Sequence, residues 1–151
     1  MTIDTKATNP KDAIAGKKLD LGLVPDSAVV ALAEAFTEGA IKYGRFNWRI
    51  AGVRASVYNA ALRRHVKKWW NGQDKDATTR VHHLKNALAC IAILIDAELY
   101  GKLNDDRPPA PDRDAMARMI DEAEATVAHL KELFKDHNPK QYTIADTEEK
   151  T

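Results

Sequence analysis

The chain has 151 residues, a formal net charge of +1 and one cysteine, Cys90. That length fits a single domain with its own core, and the near-neutral total excludes a global field that would pull it to nucleic acid or membrane. One cysteine excludes an internal disulfide framework and fits a reducing cytosol, and no apolar run approaches the ~20 residues of a membrane span.

The N-terminus has no apolar signal segment, so a cytoplasmic protein is expected. Charge is nonetheless placed unevenly. From Gly39 to Gln73 the chain carries Lys42, Arg45, Arg49, Arg54, Arg63, Arg64, Lys67 and Lys68 with no Asp or Glu, whereas acids dominate from Asp96 to Asp136. Opposed halves of this kind either meet an external anion or pair with each other.

Residues 1–25 read as an extended arm. It holds turn chemistry at Asn9-Pro10-Lys11-Asp12 and a loosely alternating apolar strip, Leu19, Leu21, Leu23 and Val24, able to lie on the body. The first helix is expected from Pro25-Asp26-Ser27, with Asp26 or Ser27 as N-cap, to a Gly44 C-cap. Val29, Leu32, Ala33, Phe36 and Ala40 form its apolar stripe. Residues 45–54 read as a loop. The second helix should run from a Ser56 N-cap to Trp70, with Tyr58, Ala61, Leu62, His65 and Trp69 inward. A polar connection over 73–79 leads to a third helix over about 80–100, capped by Thr78 or Thr79. Its run from Ala87 to Ile95 is apolar almost all round, which predicts the most buried helix. Cys90 within it reads as core filler. After a rigid turn at residues 104–109, a fourth helix runs from Asp112 or Arg113 to Lys135, with a seam of Met116, Met119, Ile120, Ala123, Val127, Leu130 and Phe134. No strand of normal length is evident. The pattern predicts an all-α four-helix bundle over 26–138, an N-terminal arm and a flexible tail over 139–151.

Chemistry concentrates around residues 34–49. Glu34 and Glu38 stand four apart, about 40° around a helix axis, so their carboxylates share a face. Such a pair can hold Mg²⁺ or Mn²⁺, hard ions that take oxygen ligands. Lys42, Arg45 and Arg49 follow closely, and a metal–triphosphate needs both signs of charge. Asp96 ends an apolar run. With the first and third helices parallel it should lie level with Glu38, either as a third metal ligand or as half of a structural ion pair with Arg107 or Arg63. Tyr43, Phe46 and Trp48 can stack on a base, with Asn47 reading its edge. The same mixture of aromatics and arginines would suit single-stranded nucleic acid. Asp105, Asp106 and Arg107 could close over a site. Zinc-motif spacing, a His-Asp dipeptide and a Gly-rich phosphate loop are all absent from the sequence.

Several ordered pieces, Asn9-Pro10-Lys11-Asp12, Lys42-Tyr43-Gly44, Asn47-Trp48-Arg49, Tyr58, Arg64-His65, Gly72, Asp74, His83-Leu84, Asp96-Ala97 and Asp105-Asp106-Arg107-Pro108, resemble the phage dATP/dGTP diphosphohydrolase family. That family is related to the MazG-like all-α nucleotide pyrophosphohydrolases. The resemblance covers about residues 9–108. It implies a helical bundle assembled as a dimer or tetramer. It also implies hydrolysis of a purine deoxynucleoside triphosphate to monophosphate and pyrophosphate with Mg²⁺ or Mn²⁺. MazZ-type members would deplete dATP and supply dGMP in phages that replace adenine by 2-aminoadenine. The chain departs from the MazG-like pattern at Asn59 and Arg63, where a second acidic pair would fall, and at Gln73 and Asn86.

The resulting expectation places two or more ions on Glu34, Glu38 and Asp96, with Asp74 and His83 as alternatives for the third ligand. Glu38 doubles as the base. Lys11, Lys42, Arg45, Arg49 and Arg64 hold the polyphosphate, and Asn47 and Trp48 lie near the purine. The alternative is a helical nucleic-acid-binding module that uses residues 39–73.

Overall fold

The computed structural model describes residues 18–147. Helices dominate: α1 (Asp26–Tyr43), the short α2 (Asn47–Ala51), α3 (Ala55–Trp70), α4 (His83–Leu99) and α5 (Ala115–Leu133). Two-residue strands β1 (Val53–Arg54) and β2 (Leu103–Asn104) pair in parallel, Val53 opposite Leu103. The expected loop over 45–54 is therefore mostly regular. Asn47-Trp48-Arg49 begins a helix because Phe46 takes the left-handed conformation (φ 56°) and turns the chain. Gly52, at φ 76°, brings β1 onto the exit of α4; a Cβ there would sit 3.0 Å from the Lys102 carbonyl oxygen.

Helix α4 is the centre, with α3 and α1 packed against it. Five of its residues, His83, Ala87, Ala89, Cys90 and Ala97, are buried, as its all-round apolarity predicts. Glu34 on α1 meets Lys85 near the start of α4, while Ala40 and Ile41 share a groove with Ala92 and Asp96 further along. Helices α1 and α4 thus run parallel. Among the described residues the buried core is made almost entirely of small side chains. The expected stripe on α1 is not core: Val29 is exposed, Phe36 half-buried and Ala35 the buried residue. Leu19, Leu21 and Leu23 are exposed around a 3₁₀ turn capped by Asp20 and do not lie on the body. The fourth long helix, α5, forms no extensive packing against the other three, and its whole surface is exposed.

The caps differ from expectation in an informative way. Pro25 precedes α1 without a side-chain cap. Ser56 does not cap α3. Instead Asp106 does so from outside the helix, accepting from the Ser56 backbone N–H at 2.7 Å and the Ser56 hydroxyl at 2.5 Å. These bonds hold the Asp106 carboxyl below its ordinary pKa. Thr78 and Thr79 do not cap α4; the His82 side chain does, accepting from the Leu84 N–H. Asp105 pairs with its neighbour Arg107, which pulls its pKa down to about 2. Asp106 thus ties the segment after α4 to the start of α3, while Asp105 and Arg107 bind each other.

The cap carries a test. Asp106→Ala should lower the thermal midpoint followed by circular dichroism, because two donors at the start of α3 lose their acceptor. Asp106→Asn, which keeps one acceptor oxygen, should lose less. An unchanged midpoint in Asp106→Ala would contradict the assignment.

Candidate active site

Helix α1 presents two faces. Residues Ala35, Glu38, Gly39 and Lys42, at i, i+3, i+4 and i+7, line a cavity of about 260 Å³. Asn86, Ala89, Cys90 and Ile93 supply the α4 wall with the same spacing, Tyr58 and His65 come from α3, and Asn47 and Trp48 from α2. Asp76 and Thr79, in the connection between α3 and α4, complete it. The other face of α1 (Leu32, Phe36, Ala40, Ile41) borders a larger groove of about 780 Å³ shared with Arg45, Arg49, Ala92 and Asp96. Trp48 and Phe36 border both and divide them.

The dividing wall is fixed by charge. Asp96 accepts from Arg49 Nε at 2.9 Å and Nη2 at 2.7 Å, and from Trp48 Nε1 at 2.7 Å. Arg49 also stacks 4.0 Å over the Tyr100 ring, and Trp48 packs against Phe36 and Phe46. The arginine and the indole hold the Asp96 carboxyl below the ordinary range. Asp96 is level with the C-terminal half of α1, as expected. It faces the groove, however, and its oxygens are taken by Arg49 and Trp48. The ion-pair alternative is therefore the one realised, with Arg49 as partner in place of Arg107 or Arg63.

The expected carboxylate trio does not assemble. Glu34 binds Lys85 and lines neither cavity; Glu38 binds Lys42. Among the described residues no three His, Cys, Asp or Glu side chains come close enough to cage a metal ion, so Asp74 and His83 do not supply the third ligand either. Glu38, Lys42, Asn47 and Trp48 do converge. Arg45 and Arg49 lie on the groove side, Arg64 lines neither space, and Lys11 lies outside the described residues. Lys42, Arg49 and Arg54 pair with Glu38, Asp96 and Asp106, which takes three of the eight cations out of the strip that the nucleic-acid reading would use. No helix among the described residues is long and apolar enough to cross a membrane.

Sequence reading missed Asp76 and Thr79. The signal was present as Asp-Ala-Thr-Thr: Asp76 Oδ1 accepts from the Thr78 and Thr79 N–H groups, both at 2.9 Å, which is asparagine-type turn chemistry in a stretch that reads merely as polar. Those bonds hold the Asp76 carboxyl low. His65 was placed on an inner face without its partner. Its Nδ1 lies 2.9 Å from Nδ1 of His83, which is fully buried. Burial, then the adjacent His83, lowers the His65 pKa below the ordinary 6.5, and burial pushes the Tyr58 phenol and Cys90 thiol up.

The depressed His65 makes stability pH-dependent in a definite direction. The unfolded chain takes up this proton near pH ~6.5, and the folded chain only at lower pH. Stability is therefore full above that value and falls as pH drops through it. The thermal midpoint should decline from about pH 7.5 to about pH 5.5, and His65→Gln should flatten the slope. An identical slope in the variant would contradict the reading.

The model of the dATP/dGTP diphosphohydrolase N-terminal domain matches residues 8–107. No curated protein and no solved structure gives a match. The matched span runs through α1, α2, α3 and α4 and so contains every described residue of the Glu38 cavity. With about two thirds of its length inside that match, the chain belongs to the dATP/dGTP diphosphohydrolase family, a family of nucleotide pyrophosphohydrolases.

Proposed function

We propose that the chain hydrolyses the purine deoxynucleoside triphosphates dGTP and dATP to the monophosphate and pyrophosphate in the Glu38 cavity. Beyond the family match, one observation carries this reading: ring faces, an amide, a cation and two carboxylates share a single space. Trp48 and Tyr58 offer surfaces for a purine, and Asn47 an amide for its edge. Lys42 is bound to Glu38 in the free chain. A triphosphate oxygen competes for that ammonium and releases the Glu38 carboxylate to act on water. Water oxygen then bonds to the α-phosphorus, its proton passes to Glu38, and the bond to the bridging oxygen breaks as pyrophosphate leaves.

Mg²⁺ or Mn²⁺ belongs to this proposal. The described residues do not fit a cage of three protein ligands. Glu38 and Asp76, both lining the cavity, fit a hard ion that arrives on the triphosphate and takes few protein ligands. Such an ion would neutralise phosphate oxygens and acidify bound water. Glu34, one turn away, joins only if Lys85 releases it. Removal of dATP and supply of dGMP to a 2-aminoadenine pathway in a bacteriophage is the setting this chemistry suits.

Assembly into a dimer or tetramer is proposed on the exposed apolar surface. Met116, Ile120, Val127, Leu130 and Phe134 of α5, and Val30, Ile95 and Leu99 of α1 and α4, are all exposed in one chain. Large exposed apolar surfaces commonly mark interfaces.

Purified protein incubated with dGTP or dATP and Mn²⁺ should release monophosphate and pyrophosphate, resolved by ion exchange, and a chelator should stop it. Glu38→Gln should reduce turnover by about 10²-fold or more with an unchanged helical signal. Absence of those products, or a fully active Glu38→Gln, would contradict the reading. Light scattering after gel filtration should give two or four times 16.8 kDa; a monomer would contradict the assembly.

A further inference from the structure

The His65–His83 pair has chemistry that the hydrolysis scheme does not use. His83 has no exposed surface, and its Nε2 has no hydrogen-bond partner among the described residues. Its Nδ1 meets Nδ1 of His65. Between two neutral rings one Nδ1 must carry hydrogen and the other must accept it.

The two possible arrangements are not equivalent. If His65 donates, the His83 proton moves to Nε2, leaving a buried N–H without an acceptor. His65, which lines the cavity together with Asp76 and Glu38, then carries a bare lone pair at Nε2. If His83 donates, only an unfilled lone pair is buried at His83, and His65, with Asp76 and Glu38 on the same cavity, carries its N–H at Nε2. Orphaned buried donors are the rarer and costlier defect, and a carboxylate neighbour favours the donor edge. A doubly protonated pair would set two N–H groups against each other. The charged groups that act on His65, namely Asp76, Lys68 and Arg64 together with the His83 ring, leave that ordering in place.

We propose that His83 Nδ1–H donates to His65 Nδ1, and that this fixes His65 as an Nε2–H donor to an anionic phosphate oxygen of the nucleotide in the cavity. His65 is then a binding residue and not a base, and His83 is the buried residue that positions it. The ligand part rests on the nucleotide reading above; the tautomers do not.

The test uses the full chain labelled with ¹⁵N. Long-range proton–nitrogen correlation should show His83 protonated at Nδ1 and His65 at Nε2. His65 protonated at Nδ1 would overturn the proposal. A dGTP analogue with a non-hydrolysable α,β-bridge, added with Mg²⁺, should then shift the His65 Nε2–H resonance. His65→Phe should bind that analogue about tenfold or more weakly, with His65→Gln, which keeps an amide donor, in between. Melting curves of both variants report whether they fold, and the wild-type spectrum needs no variant. Analogue binding to wild type with an unmoved His65 resonance, or equal affinity in folded His65→Phe, overturns this proposal alone. No binding to wild type overturns the nucleotide reading as well.

Discussion

The Asp96 carboxylate, gripped by Arg49 and Trp48, is the interaction on which the geometry of the site depends. It ties the one-turn helix α2 to the middle helix of the bundle. It orients Trp48, which also packs on Phe36 and Phe46, so that Trp48 and Phe36 together divide the two spaces. The charge sits at the end of an apolar run because a half-buried indole N–H and a guanidinium share one acceptor there. Left alone in that position the carboxylate would be costly; with three donors it is the point that orders the wall.

A second constraint is electrostatic. Three of the eight cations in the basic segment reach the fold paired: Lys42 with Glu38, Arg49 with Asp96, Arg54 with Asp106. Opposed charge along the chain therefore reflects internal pairing at these positions. Of the three, the Glu38–Lys42 pair borders the cavity that Asn47, Trp48 and Asp76 also line, whereas the Arg49–Asp96 pair borders the neighbouring groove. An exposed pair of this kind is weak and exchangeable, which is what a site that must yield its cation to an incoming polyanion requires.

Helix positions were legible because α3 carries a clear 3.6-residue period, α4 a continuous apolar run, and glycines such as Gly44 mark helix ends. The convergence of Glu38, Lys42, Asn47 and Trp48 was legible from their proximity in the chain. Asp96 was placed at the right level but on the wrong face, since a periodic pattern cannot say which of two neighbouring grooves a side chain enters. The Asp106 cap on α3 and the His65–His83 contact join residues 50 and 18 positions apart, and no local signal encodes such pairings. The helical character of Asn47–Ala51 was hidden because it depends on a left-handed Phe46, a conformation that bulky residues seldom take. The seam on α5 was read correctly as apolar, but among the described residues it has no extensive packing against the other helices.

A crystal structure with Mn²⁺ and a dGTP analogue whose α,β-bridge cannot be cleaved would test the central claim most directly. The account predicts the purine beside Trp48 and Asn47, with phosphate oxygens reaching the Lys42 ammonium and the Glu38 carboxylate freed from it. A nucleotide seated instead in the Arg45–Asp96 groove, with the Glu38–Lys42 pair intact, would contradict it.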